Sequence, residues 1–171
     1  GNNGGDGVAA AYMLKNKGYE VRVFLTGKRE KMTCDTKLME TRLADAGGEI
    51  EDYTGEEEQR EYVKSCGVII DAMFGIGLNS SLRGQAAAAA ELISKAGGYV
   101  IAADIPSGVF ADTGEVSPSC VNADMTVTFT LGKPGLYSAP GCLFCGQVRA
   151  CRIGIPEEER EKLEAETYLV E

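Results

Sequence analysis

Apolar positions along the chain switch repeatedly between a helical period and a strand period. Residues 7–17 read as a helix, with Val8, Ala9, Ala10, Ala11, Tyr12, Met13 and Leu14 near its start and Gly18 as its stop. Residues 20–25 place Val21, Val23 and Leu25 at every second position, which is the strand pattern. A polar, basic loop over 26–33 leads to a helix over 35–46, closed by Gly47-Gly48. A short strand is expected over 50–53 and a charged surface helix over 56–65. Val68-Ile69-Ile70-Asp71 is a short, nearly all-apolar run, as a buried parallel strand shows. An alanine-rich helix over 84–96 stops at Gly97-Gly98, and Tyr99–Ala103 forms the next buried strand. Strands over 125–130 and 147–152 follow, then a helix over 157–164 with Pro156 near its first turn. This alternation predicts an α/β fold: a three-layer α/β/α, doubly wound, Rossmann-like arrangement around a mostly parallel sheet.

The run Gly1-Asn2-Asn3-Gly4-Gly5-Asp6-Gly7 stands out from the rest. Its glycines let backbone come close to a ligand, and Asn2, Asn3 and Asp6 offer polar contacts. A Gly-rich loop entering a helix, with Asp6 as the cap, is expected to cradle a phosphate through unpaired N–H groups and the helix dipole. An ordinary tight turn before a capped helix is the plainer alternative. Such a cradle normally follows a central strand, and none precedes Gly1. The expectation is a single domain over 1–171 from which the first helix and strand are absent.

In an open parallel sheet, ligands bind beyond the carboxyl ends of the strands. Asn2 and Asn3 would follow the absent strand, Asp71 ends one strand, and Asp104 follows another. All would gather along one edge. Each also has a structural reading: Asp71 as a turn cap, and Asp104-Ile105-Pro106-Ser107-Gly108 as a rigid loop. Gly75-Ile76-Gly77-Leu78-Asn79-Ser80-Ser81 is a second Gly-rich loop or a simple surface turn. Arg83 either reaches a phosphate or is a solvated charge. No Lys or Arg lies within these motifs. Grouped carboxylates then call for a cation with oxygen ligands, and the weak total charge favours a monovalent one.

Composition narrows the chemistry. The 171 residues suit one domain, and 44% hydrophobic with 25% charged residues is ordinary globular content. With 17 Lys and Arg against 26 Asp and Glu, the net charge is −9. An acidic chain without a basic cluster is a poor partner for nucleic acid or an anionic membrane. Nor does any apolar run reach the length of a membrane span. Histidine is absent, which removes Ser-His and Cys-His nucleophile pairs and leaves proton transfer to carboxylates, Lys, Tyr or Cys. Cys142-Leu143-Phe144-Cys145 has zinc-knuckle spacing without a second ligand pair, so free thiols in a reducing cytosol are the simpler reading.

The opening run resembles the signature loop of the NAD(P)HX epimerases, the YjeF N-terminal domain family. Ile69-Ile70-Asp71-Ala72-Met73-Phe74-Gly75, Ala103-Asp104-Ile105-Pro106-Ser107-Gly108 and Asp124-Met125-Thr126-Val127-Thr128-Phe129 leading to Lys133-Pro134-Gly135 resemble further segments in the same order. The resemblance implies an isomerase that epimerises the R and S forms of NADHX and NADPHX, hydrated nicotinamide cofactors, as cofactor repair. It implies a potassium ion on Asn3, Asp71 and Ser107. Substrate contacts would come from Asn2, Asn3, Gly4, Gly5 and Asp6, from Gly75, Ile76, Gly77, Leu78, Asn79, Ser80 and Ser81, and from Asp104, the candidate acid–base residue. A cytoplasmic homodimer is implied, either as a stand-alone epimerase or with a covalently linked ADP- or ATP-dependent dehydratase domain in a multifunctional enzyme. Related domains that serve only for dimerisation or binding are the alternative; they typically lose the acidic residues present here at Asp6, Asp71 and Asp104. A nucleotide hydrolase on this fold would want a divalent-metal cluster or a P-loop Lys, and neither is visible.

Overall fold

Helix α1 (Asn2–Asn16) begins at Asn2, not at Gly7. The computed structural model describes residues 2–156 and 158, and in it the opening run forms the first turns of this helix. Asp6 is therefore an interior helix residue and not a cap, which corrects the loop expected from the glycines. None of Gly4, Gly5 or Gly7 has a positive φ, so they do not turn the chain, and Gly5 and Gly7 serve close packing. A Cβ on Gly7 would lie 2.6 Å from the Cβ of Ala72, and one on Gly5 would lie 3.0 Å from Thr36 Oγ1. Glycine costs a helix about 1 kcal/mol relative to alanine. Here that cost permits α1 to lie against the segments carrying Ala72 and Thr36.

Strand β1 (Val23–Leu25) pairs in parallel with β2 (Ile50–Asp52), with Val23 opposite Ile50. Between them lies α2 (Cys34–Asp45), capped by the Thr33 hydroxyl, which accepts from the Thr36 amide. It ends with Gly47 at φ +75° and the Gly48 amide donating to the Leu43 carbonyl. This is the left-handed stop that the glycine pair predicts. Val8 and Ala11 of α1, Leu43 of α2 and Ile50 of β2 form one apolar cluster.

Helix α3 (Glu57–Ser65) leads to β3 (Val68–Asp71), and α4 (Gly84–Lys95) leads to β4 (Tyr99–Ala103). Strands β5 (Met125–Phe129) and β6 (Gln147–Cys151) complete a four-stranded parallel sheet in the order β3-β4-β5-β6. The described residues thus form two parallel sheets where one was expected. The consequence is visible at β3, predicted as a buried strand. It pairs with β4 on one side, and Val68 is 56% and Ile70 36% exposed. Ala90, Val100, Ala102, Val121 and Ala123 pack the core beside α4 and β4. Residues 105–124 hold no regular element beyond a bridge between Val109 and Val116, yet Ile105, Ser107, Val109 and Val121 are buried. Apart from Glu158, the helix expected over 157–164 lies outside the described residues.

Candidate functional site

The carboxyl ends of β3 and β4 are neighbours because Asp71 is in register with Ala102. Asp71 is 1% exposed. Its Oδ1 accepts from the Ser107 hydroxyl at 2.6 Å and the Met73 amide at 3.2 Å, and its Oδ2 accepts from the Ser107 amide at 2.7 Å. Burial pushes the Asp71 carboxyl above the ordinary carboxylate range, against the opposing pull of Ser107 and Met73. The Ser107 hydroxyl oxygen also accepts from the Phe74 amide at 3.0 Å. Next along the chain, the α-carbon of Gly75 abuts Asn3; a Cβ there would lie 3.2 Å from its amide carbon. Asn3, Asp71 and Ser107 are thereby brought into one neighbourhood by α1, β3 and the loop after β4.

Asn3 is the incomplete member. Its side-chain oxygen and nitrogen are buried, and among the described residues neither meets a hydrogen-bond partner. An unpaired buried amide costs about 1–3 kcal/mol. Its oxygen is available to a ligand, and the Asp71 carboxylate and the Ser107 hydroxyl are the other side-chain oxygens of the site. Among the described residues no three His, Cys, Asp or Glu side chains gather into a metal group.

Asp104 occupies the second centre, three residues before Ser107. It is 7% exposed and takes φ +70°, a left-handed conformation that Asp tolerates better than most residues. Its Oδ1 accepts from the Phe129 amide at 3.1 Å, the Thr128 hydroxyl at 3.3 Å and the Lys133 ammonium. This ion pair corrects the expectation that the site carboxylates lack a basic partner. Lys133 stands in the loop after β5, distant in sequence from Asp104. The Lys133-Pro134-Gly135 segment marked the loop but gave no indication of the pairing. Asp71, in contrast, makes no ion pair with a described residue.

The other predicted residues divide by position. Asp6 reaches the surface near Asp104, and its carboxyl is raised first by partial burial and then by the Asp104 charge. Asn2 is exposed, Gly5 is buried against Thr36, and a Cβ on Gly4 would meet nothing. Ile76, Gly77, Asn79, Ser80 and Ser81 are exposed on the loop between β3 and α4. Leu78 differs, since it packs against the apolar cluster of Leu82 and Val100. Arg83 is exposed immediately before α4. All six cysteines are free thiols. Cys145 is buried with its thiol donating to the Gly141 carbonyl, and burial pushes it up to about 12, unlike a zinc-bound thiolate.

Fold and site together define a Rossmann-like α/β protein with a polar site at the carboxyl ends of its parallel strands. Residues 1–135 match the family described as YjeF-related protein N-terminus, and the chain belongs to that family. The NAD(P)H-hydrate epimerase of Oenococcus oeni is 36% identical over 157 residues, covering 92% of this chain and 72% of the relative. The bifunctional NAD(P)H-hydrate repair enzyme Nnr of Moorella thermoacetica is 38% identical over 161 residues. That match covers 92% of this chain, which spans only 30% of the relative's length. The crystal structure of the yeast protein ynu0 superposes with a TM-score of 0.77 at 26% identity, covering 98% of this chain and 70% of that one.

Proposed function

We propose that this chain is an NAD(P)H-hydrate epimerase domain, an isomerase that interconverts the R and S forms of NADHX and NADPHX. The relatives' names supply the reaction. The observation that carries it to this chain is the Asp104 carboxylate, nearly buried at a strand end, with its Oδ1 taken by three protein donors. Among the described residues no protein group donates to its Oδ2. Inverting the hydroxyl-bearing C6 of the nicotinamide ring requires loss and return of that hydroxyl, or reversible opening of the C6–N bond. Both routes move a proton to and from oxygen, and a carboxylate oxygen can carry it. Asn2 to Asp6 and the 75–81 loop would hold the nucleotide. No net redox change occurs.

Asn3, Asp71 and Ser107 fit a potassium ion, because they pair a buried amide with a buried carboxylate, the amide without a partner and the carboxylate without a basic one among the described residues. When bound, the ion would supply positive charge that orients Asp71 and the adjoining loops. The reading extends to a cytoplasmic homodimer and, since some relatives are named bifunctional NAD(P)H-hydrate repair enzymes, to cooperation with a linked dehydratase that would consume one epimer. The deciding experiment starts from purified R-NADHX and follows the S form by chromatography. Conversion at a protein-dependent rate supports the proposal; a rate equal to the spontaneous one defeats it.

A further inference from the structure

We propose that Lys133 is a positioning residue that fixes the Asp104 carboxylate with one oxygen locked and the other presented to substrate. This rests on the proposed epimerase reading. The Lys133 side chain is 16% exposed, unusual for a lysine without a specific partner. Its ammonium has three protons, and three acceptors surround it: Asp104 Oδ1, Thr128 Oγ1 at 2.7 Å and the Phe129 carbonyl at 2.9 Å. Every donor is engaged, so none remains to protonate or bind a substrate atom. That separates positioning from direct catalysis.

Asp104 shows the complementary asymmetry. The Phe129 amide and Thr128 hydroxyl converge with Lys133 on Oδ1. Asp104 and Thr130 are the non-glycine residues with positive φ among those described, at +70° and +65°. Both belong to this unit: Asp104 is the acceptor, and Thr130 follows Phe129, which gives its amide to Asp104 and its carbonyl to Lys133. Thr130 is β-branched, and its hydroxyl is buried without a partner among the described residues. Such conformations persist where the surroundings over-determine them. A buried ion pair is a weak source of net stability. Holding one carboxylate geometry is the better account of a lysine placed here.

The test compares wild type, Lys133→Met, Lys133→Arg, Asp104→Asn and the Lys133→Met/Asp104→Asn double variant in R-NADHX turnover. Lys133→Met is expected to lower kcat by about 10–100-fold, the size of loss seen when a residue that orients a metal ligand is removed. KM should stay within about threefold. In the Asp104→Asn background the same change should cause little further loss, because residues acting as a unit are non-additive. Wild-type kcat in folded Lys133→Met, or losses that multiply in the double variant, would overturn the inference. If Lys133→Met does not fold, Lys133→Arg carries the test: it keeps the charge but not the three-way fit, and an unchanged kcat would overturn the inference equally. An inactive wild type would instead refute the epimerase reading. A crystal structure of either folded variant then reads positioning without turnover: an Asp104 carboxylate in its original orientation would count against it, and a rotated one would support it.

Discussion

Ser107 grips both oxygens of Asp71, its hydroxyl donating to Oδ1 at 2.6 Å and its amide to Oδ2 at 2.7 Å. Two residues from different segments are joined by a pair of bonds that leaves the carboxylate held but without a neutralising cation among the described residues. The loop after β4 is thereby tied to the end of β3, and Asp104, three residues earlier, is fixed relative to both. Ser107→Ala should destabilise the fold by about 1–3 kcal/mol, because a buried carboxylate loses its hydroxyl donor. Urea unfolding measures this directly. A change within about 0.5 kcal/mol would show that Met73 and the Ser107 amide suffice.

Asp104→Asn should lower epimerisation by about 10²–10⁴-fold, the usual contribution of a positioned acid–base group. The amide keeps the shape but cannot exchange the proton. Circular dichroism should confirm that the variant folds. Turnover of R-NADHX near the wild-type rate would place the proton transfer elsewhere.

Much of this site was legible from strand ends alone. Asp71 closes β3 and Asp104 follows β4, as the apolar runs indicated. Helix boundaries near Gly47 and Gly97 were legible because left-handed or helix-breaking glycines act locally. Two features were not. The glycines at 5 and 7 carry the same letters whether they turn or pack, and only the presence of Thr36 and Ala72 opposite them decides for packing. The Lys133–Asp104 pair joins two loops separated by all of β5, a contact that no local periodicity encodes. The exposure of Val68 and Ile70 was hidden for the same reason, since a strand's neighbours are set by tertiary pairing.

Asp6 should make stability depend on pH with a defined sign. Its folded-state carboxyl is raised above the ordinary 3.8 by partial burial and then by Asp104. The folded chain therefore binds that proton more tightly than the unfolded chain. The resulting stabilisation is fully present below the unfolded value and is lost as pH rises through the folded one. Asp6→Asn should accordingly be more stable than wild type at pH 7, by less than about 1 kcal/mol after solvent screening. The difference should shrink as both proteins approach pH 4. Unfolding midpoints of the two proteins across that range provide the check; a constant or inverted difference would contradict the assignment.

Potassium should stabilise the protein through Asn3, Asp71 and Ser107. A ligand that binds only the folded state at about a hundred times its Kd adds about 2.7 kcal/mol. Thermal unfolding in potassium chloride against choline chloride at equal ionic strength should show a higher midpoint, and Asn3→Ala should abolish the difference. A bound ion with an octahedral shell at about 2.0–2.1 Å would instead identify magnesium. Equal midpoints in the two salts would argue against any potassium site.

Gly4 and Gly7 should respond oppositely to alanine, although both lie in α1. Helix propensity favours alanine over glycine by about 1 kcal/mol at an interior position. At Gly4 an added Cβ meets nothing within 4 Å, so Gly4→Ala should raise stability by a large part of that amount. At Gly7 the Cβ would lie 2.6 Å from the Cβ of Ala72, an atom fixed to its backbone and unable to rotate away. Relief requires α1 or the Ala72 segment to move, and overpacking of this kind costs about 1–3 kcal/mol, enough to exceed the propensity gain. Gly7→Ala should therefore be destabilising. The same shift would carry Asn3 away from Gly75, so Gly7→Ala should also weaken the potassium-dependent rise in midpoint, whereas Gly4→Ala should leave it intact. Thermal unfolding of both variants with and without potassium separates the effects. Equal stability changes in the two variants would mean that the approach of α1 to Ala72 is not what the glycine at position 7 secures.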